Sequence, residues 1–282
     1  MGFQQERTIF LQSSSPRPIL DLESLQRSLR RLAPIIAESL QANGYWTSSE
    51  PVLEPAAITA MRQHSIALRE SGRFAQSWSE RVDANGVKTR FDKEGVFACE
   101  PDGHDYQPAP DILLYLATVI SNLPPLLNEH VTDRPLQLSN QSFNAKLAVT
   151  SPGGSTYPLH VDNTLGVTGA PTDDTRKLTC ILYLNPDYRP GDGGELRLLL
   201  LNNTCVDIAP STGLVIFWSD GIPHEVLACN PHASPKDRHF DRYALTVWLP
   251  DSDPRNIQTE GSKFERLRKD VFAEGITWCP KN

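Results

Sequence analysis

The sequence predicts an α+β protein built on an antiparallel β-sandwich, and three observations carry that prediction. Apolar residues at three- and four-residue steps put helices in the first half of the chain. Short β-rich runs punctuated by Gly, Pro, Asn and Asp take over from about residue 143. Strand and helix nowhere alternate as a parallel βαβ fold requires. At 282 residues the chain is long enough to bury a full core, and two domains are not required.

The elements follow in order. Residues 1–20, with Ser13-Ser14-Ser15-Pro16 and Pro18, show neither period and are expected to form a flexible tail. Leu22, Leu25, Leu29, Leu32 and Ile36 share one helical stripe, which Pro34 is expected to kink. Pro55 suits the first turn of a second helix that would bury Ile58, Met61, Ile66 and Leu68, and Gly72 can take its left-handed stop. A third helix opens near Asp111 and is expected to end before Pro124-Pro125. The predicted strands are Asn144–Thr150, Tyr157–Asp162, Leu178–Leu184, Glu195–Leu201, Leu214–Trp218 and Tyr243–Leu249, with Pro190 to Gly194 as the turn between the third and fourth. After Pro254, the spacing of Phe264, Leu267, Val271 and Phe272 predicts a last helix packed back on the body. The expected organisation is a tail over 1–20, a helical support region over 21–135, a sandwich core over 136–250 and a C-terminal helical segment over 251–282.

Composition narrows the function. Asp plus Glu number 34 against 27 Lys plus Arg, and the net charge of −7 argues against binding nucleic-acid backbone or anionic lipid. Cysteines at 99, 180, 205, 229 and 279 form no CxxC pair and are odd in number, which fits a reducing compartment, cytoplasmic or nuclear, better than a disulfide scaffold. The apolar stretch Ile112–Ile120 is about half of a membrane span, and the N-terminus has no apolar signal core. Arg and Ser are common in the first 31 residues while Glu6, Asp21 and Glu23 count against a transit peptide, so organellar targeting stays open. A monomer without membrane or nucleic-acid partners is expected.

The chemistry begins at His160-Val161-Asp162, in an extended run where side chains two apart reach one point together. Alone, an H-x-D is more often a hydrogen-bonded surface pair than a metal site. Pro223-His224-Glu225-Val226 follows the apolar strand ending at Trp218, where a sandwich can lay a later strand beside an earlier one and add a third ligand. Two imidazoles and one carboxylate leave about three octahedral positions open, the arrangement of non-haem Fe(II) oxygenases, whereas structural zinc closes its shell. Arg242 and Thr246 share a face of the next strand, and with Tyr183 they could receive a carboxylate; a solvated strand-end arginine is the bland alternative.

The motifs are His160-Val161-Asp162-Asn163, Leu178 to Asn185, Gly193-Gly194-Glu195-Leu196-Arg197, Phe217-Trp218-Ser219-Asp220, Pro223 to Val226, and Arg242 to Trp248. In this order the sequence resembles the 2-oxoglutarate- and Fe(II)-dependent prolyl 4-hydroxylases, most closely the branch that hydroxylates hypoxia-inducible factor. The resemblance is strong from about Asn144 to Trp248 and weaker from about Leu25. It implies a double-stranded β-helix, or jelly roll, with supporting N-terminal helices and a C-terminal helix. It implies Fe(II) held by His160, Asp162 and His224, and 2-oxoglutarate gripped by Tyr183, Arg242 and Thr246. Tyr157 matches an active-site tyrosine, and Arg176, Arg255 and Trp248 fall at substrate-contact positions. The implied reaction uses O2 as second co-substrate and L-ascorbate as reductant, hydroxylates a proline-containing protein or peptide, and releases succinate and CO2, with an oxygen-sensing role. Ser77 to Phe97 would form a hairpin over the substrate, turning at Asp83-Ala84-Asn85-Gly86.

The chain departs from that branch at Thr150, where a tyrosine is expected to complete the co-substrate pocket, and in longer segments over 163–176 and 227–241. A second H-x-D, His239-Phe240-Asp241, lies in a polar stretch and competes weakly for the metal. Rival functions are a 2-oxoglutarate oxygenase acting on another residue or a small molecule, a cupin-like metal enzyme that does not use 2-oxoglutarate, and a non-catalytic jelly-roll module that binds a proline-containing peptide.

Overall fold

The computed structural model describes residues 17–82, 88–162, 174–200 and 204–257. The expected turn over 83–86, most of the loop over 163–176, the tail over 1–16 and the final helix after 257 lie outside the described residues. Helix α1 (Leu22–Asn43) starts where the Asp21 carboxylate accepts a hydrogen bond from the Ser24 amide, and it buries Leu25, Leu29, Ala33, Ile36 and Leu40. It runs through Pro34, which is exposed, so the carbonyl left without a donor can take one from water. Helix α2 (Pro55–Glu70) opens on Pro55 and is followed by Gly72 at φ 82°, both as predicted.

Helix α3 (Pro110–His130) corrects the sequence reading, because it continues through Pro124-Pro125. Leu123 and Leu127 are fully buried on either side, and each such burial is worth roughly 1.5–3 kcal/mol, enough to offset the proline cost. Among the described residues, α3 is the one helix long and apolar enough to cross a membrane, yet 61% of its most apolar window is buried in the protein. It packs as a core helix against α1.

Eleven strands among the described residues form two antiparallel sheets. The major sheet runs β1 (Tyr45–Thr47), β9 (Leu214–Trp218), β6 (Arg176–Tyr183), β11 (Arg242–Pro250), β4 (Asn144–Thr150), β3 (Lys88–Cys99) and β2 (Ala75–Val82). The minor sheet runs β5 (Ser155–His160), β10 (His224–Cys229), β7 (Leu196–Leu199) and β8 (Cys205–Ile208). The pair is a jelly roll, and β1, β2 and β3 extend its major sheet from within the helical region, so helices and strands do not segregate as cleanly as the sequence suggested. The predicted strand Tyr157–Asp162 ends at His160, which leaves Asp162 on the segment just beyond it.

Buried polar anchors fix the end of β11 where Arg242 lies. Arg62 of α2 donates to the carbonyls of Leu184 and Asp241 and to Asn185 Oδ1 at 2.8–3.1 Å. Asn185 in turn accepts from the Tyr243 amide and donates to the Tyr243 carbonyl. Backbone on both sides of Arg242 is therefore clamped to a helix, a condition for a precisely aimed side chain.

Candidate active site

Antiparallel pairing of β5 with β10 sets His160 opposite His224, and Asp162 follows two residues later. The ring centroids are 4.2 Å apart. His160 Nε2 lies 3.5 Å from Asp162 Oδ1 and His224 Nε2 lies 3.8 Å from Asp162 Oδ2. Among the described residues, this is the one group of three His, Cys, Asp or Glu side chains with ligand atoms all within 4.8 Å of one another.

The surroundings prepare these atoms for a metal. His160 Nδ1 is 2.8 Å from the Pro158 carbonyl and His224 Nδ1 is 3.1 Å from the Ile222 carbonyl, so each Nδ1 carries the proton and each Nε2 presents a lone pair to the common centre. Asp162 Oδ2 accepts from Thr179 Oγ1 at 2.6 Å and from Trp248 Nε1 at 2.9 Å, which leaves Oδ1 toward His160. The Thr179 hydroxyl is 2.7 Å from Ser219 Oγ, which supplies its second hydrogen bond. Burial first, then the neighbouring His160, pushes His224 down to about 4, keeping it neutral and able to ligate. Burial alone would raise the Asp162 carboxyl, but His224, His160 and the Thr179 hydrogen bond hold it well below the usual carboxylate range. Two imidazoles with a fixed carboxylate are an N2O donor set of the kind that suits Fe(II).

The other end of the cavity is built for an anion. Arg242 is buried, donates from Nε to the Gly194 carbonyl at 2.7 Å and from Nη2 to Tyr183 Oη at 3.2 Å, and has no carboxylate partner among the described residues. Burial raises the Tyr183 hydroxyl, with Arg242 opposing, so it stays a neutral donor. Thr150, Ile181, Ala244 and Thr246 line the same cavity between Arg242 and the metal ligands. Sequence reasoning missed Gly194 as a site residue: at φ 74° a Cβ there would meet Arg242 Cδ at 3.0 Å and Cys229 Sγ at 2.8 Å. The signal was the glycine pair in Gly193-Gly194.

The remaining predicted residues divide. Tyr157 and Trp248 line the cavity beside the metal ligands. Arg176 pairs with Asp174 and lies 5.3 Å from the Trp248 ring. Arg255 is not brought to the cavity: its side chain is 89% exposed and pairs with Asp253, because Pro254–Asn256 turns away as a short 3-10 helix. The competing His239 and Asp241 separate as well, His239 exposed on a short turn and Asp241 buried against Arg69.

Comparison with known proteins agrees with this geometry. Residues 145–250 match the 2OG-Fe(II) oxygenase superfamily. The chain is 36% identical over 127 residues to Egl nine homolog 1 of Rattus norvegicus, an alignment covering 42% of this chain and 33% of that relative. It is 36% identical over 115 residues to prolyl hydroxylase EGLN3 of Mus musculus, covering 39% of this chain and 41% of that relative. The matches thus span well under two thirds of these curated relatives. Among solved structures, a Trichoplax adhaerens prolyl hydroxylase in complex with a hypoxia-inducible factor peptide fragment superposes with a TM-score of 0.63 at 25% identity, covering 85% of this chain and 97% of that one. Over residues 145–250 the chain is thus similar to the 2OG-Fe(II) oxygenase superfamily, and its jelly roll is similar to that of the Trichoplax prolyl hydroxylase.

Proposed function

We propose that the protein is a 2-oxoglutarate- and Fe(II)-dependent dioxygenase that hydroxylates a prolyl residue in a protein or peptide, with an oxygen-responsive role. The observation that carries the reading is one cavity with a freed His160–Asp162–His224 donor set at one end and the buried, carboxylate-free Arg242 at the other. His160, Asp162 and His224 would hold the iron, which when bound supplies open positions for 2-oxoglutarate and O2 and so the oxidising power to insert oxygen into a C–H bond, with release of succinate and CO2.

The chain's own residues bind and orient. Arg242 and Tyr183 take the distal carboxylate of 2-oxoglutarate by charge-assisted hydrogen bonds, and Thr246 offers a hydroxyl from the same strand. Ile181, Leu196, Val226 and Ala244 keep water from the stem of the co-substrate. Tyr157 and Trp248 present aromatic surface at the metal end, where a proline ring would pack, and Arg176 steadies Trp248. Arg255, at the surface, would meet only a longer stretch of peptide. Ascorbate is the reductant the assay should include, and we place the enzyme in the cytoplasm or nucleus as a monomer that binds neither membrane nor nucleic acid.

Incubating a proteome with the enzyme, Fe(II), 2-oxoglutarate and ascorbate, and searching by mass spectrometry for proline sites heavier by one oxygen atom, tests the reading. Succinate formed in proportion to new hydroxyproline is the expected result. Metal-dependent turnover that ignores 2-oxoglutarate would favour the cupin-like alternative and overturn the proposal.

A further inference from the structure

Two lysines flank the metal end of the cavity, Lys146 on its lining and Lys93 against its Tyr157 wall in the neighbouring groove with Gly95, Ser155 and Pro158, and neither the donor set nor the Arg242 grip uses them. Lys146 of β4 lines the cavity opposite Thr246 in the strand register, with its ammonium 5.9 Å from the Trp248 ring. Lys93 of β3 is 6% exposed, and its ammonium lies 3.4 Å from the centre of the Tyr157 ring. Tyr157 comes from the minor sheet and Trp248 from the major one, so both aromatic walls of this end carry a cation on their faces.

Neither ammonium has a hydrogen bond or ion pair among the described residues. The contrast is Lys177, also buried, which donates to Asp220 Oδ2 and to the Asn256 carbonyl at 2.7 Å each. Burial pushes Lys93 down to about 7 and the charge of Lys146 pushes the same way, while the nearby Asp162 opposes both. The Tyr157 ring face offsets part of the cost of burying Lys93, but no hydrogen-bond acceptor among the described residues meets either ammonium, and an anion reaching both would supply one. Asp162 is already engaged, because its Oδ2 accepts two hydrogen bonds and its Oδ1 faces His160.

Resting on the oxygenase reading above, we propose that Lys146 from the cavity lining and Lys93 from beside its Tyr157 wall form a second carboxylate receptor at the metal end, separate from Arg242. The carboxylate could belong to an acidic residue beside the target proline or to the metal-side end of 2-oxoglutarate, and a two-arm experiment separates these sources. Lys93→Met and Lys146→Met keep side-chain length while removing charge, and Lys146→Arg keeps the charge as a folding control.

Each protein, loaded with Mn(II) so that no turnover occurs, is titrated with 2-oxoglutarate in one arm. In the other arm it is titrated with prolyl peptides matched in pairs, Asp against Asn beside the proline. We expect the wild type to bind the Asp peptide on the order of 10-fold more tightly, a preference lost in both Met variants and kept in Lys146→Arg, with 2-oxoglutarate affinity unchanged. A fall in 2-oxoglutarate affinity with no peptide preference would support the receptor and assign it to the co-substrate. Unchanged behaviour in both arms, in a wild type that binds 2-oxoglutarate, would overturn the receptor alone. A wild type that does not bind 2-oxoglutarate at all would instead refute the oxygenase reading.

Discussion

Replacing Gly194 by alanine should cripple the co-substrate grip from outside the cavity. The new Cβ would stand 2.8 Å from Cys229 Sγ and 3.0 Å from Arg242 Cδ, so the thiol must shift and the arginine stem must give by a few tenths of an ångström. Movement there draws Nε from the Gly194 carbonyl and Nη2 from Tyr183, and charge-assisted hydrogen bonds are worth about 1.5–3 kcal/mol each. Losing the equivalent of one in the bound complex corresponds to roughly a 10- to 100-fold weaker hold on 2-oxoglutarate. Backbone strain at φ 74° adds about 1–2 kcal/mol of instability of its own, and Gly191→Ala isolates that part. Gly191 has φ 99° with nothing within 4 Å of its would-be Cβ, so its alanine variant should lose stability but not affinity. The assay is calorimetric titration of 2-oxoglutarate into Mn(II)-loaded protein, alongside thermal melts. Equal affinity of Gly194→Ala and wild type would refute the claim that this glycine positions Arg242.

Three further outcomes follow from the same geometry. His160→Ala should abolish Fe(II)-dependent succinate formation while His239→Ala leaves it intact, since His239 is exposed on a separate turn; the reverse pattern would reassign the metal site. Thr179→Val removes a donor to Asp162 without changing side-chain shape much, and metal titration should show affinity lowered by roughly 10- to 100-fold, whereas an unchanged value would deny that bond any role. Because His224 is held near 4 in the folded chain against 6.5 when free, the unfolded chain takes up a proton the folded one refuses. Metal-free stability is therefore fullest above about pH 6.5 and falls as pH drops toward 4, by up to about 3 kcal/mol from this group. Urea unfolding of wild type and His224→Gln across that window checks it: the variant should lose part of the slope, and identical slopes would contradict the assignment.

The donor set was legible not from His160-Val161-Asp162 alone, which His239-Phe240-Asp241 duplicates, but from its combination with Pro223-His224 after an apolar strand and Arg242 on the next. Arg242, Thr246 and Tyr183 were legible through strand alternation. Thr179 and Ser219 were not, because a hydroxyl on a strand is uninformative until its partner across the sheet is known, here Asp162. Lys93 and Lys146 hid for the opposite reason: a lysine in a strand ordinarily faces solvent, and only the folded neighbours, Tyr157 under Lys93 and Thr246 across from Lys146, show where these stand. Strand β3 was expected only through the resemblance, as one arm of the Ser77 to Phe97 hairpin that β2 and β3 form, because the charged run Arg90 to Glu94 breaks the apolar alternation on which strand recognition rests. The prolines of α3 misled in turn, since local propensity yields to the burial of Leu123 and Leu127.

A crystal structure of the protein with Mn(II) and 2-oxoglutarate puts the whole account at risk in one map. We predict the metal on Nε2 of His160, Nε2 of His224 and the Asp162 carboxylate, with the far carboxylate of 2-oxoglutarate on Arg242 and Tyr183. Metal bound through other side chains, or a co-substrate lying away from Arg242, would contradict it.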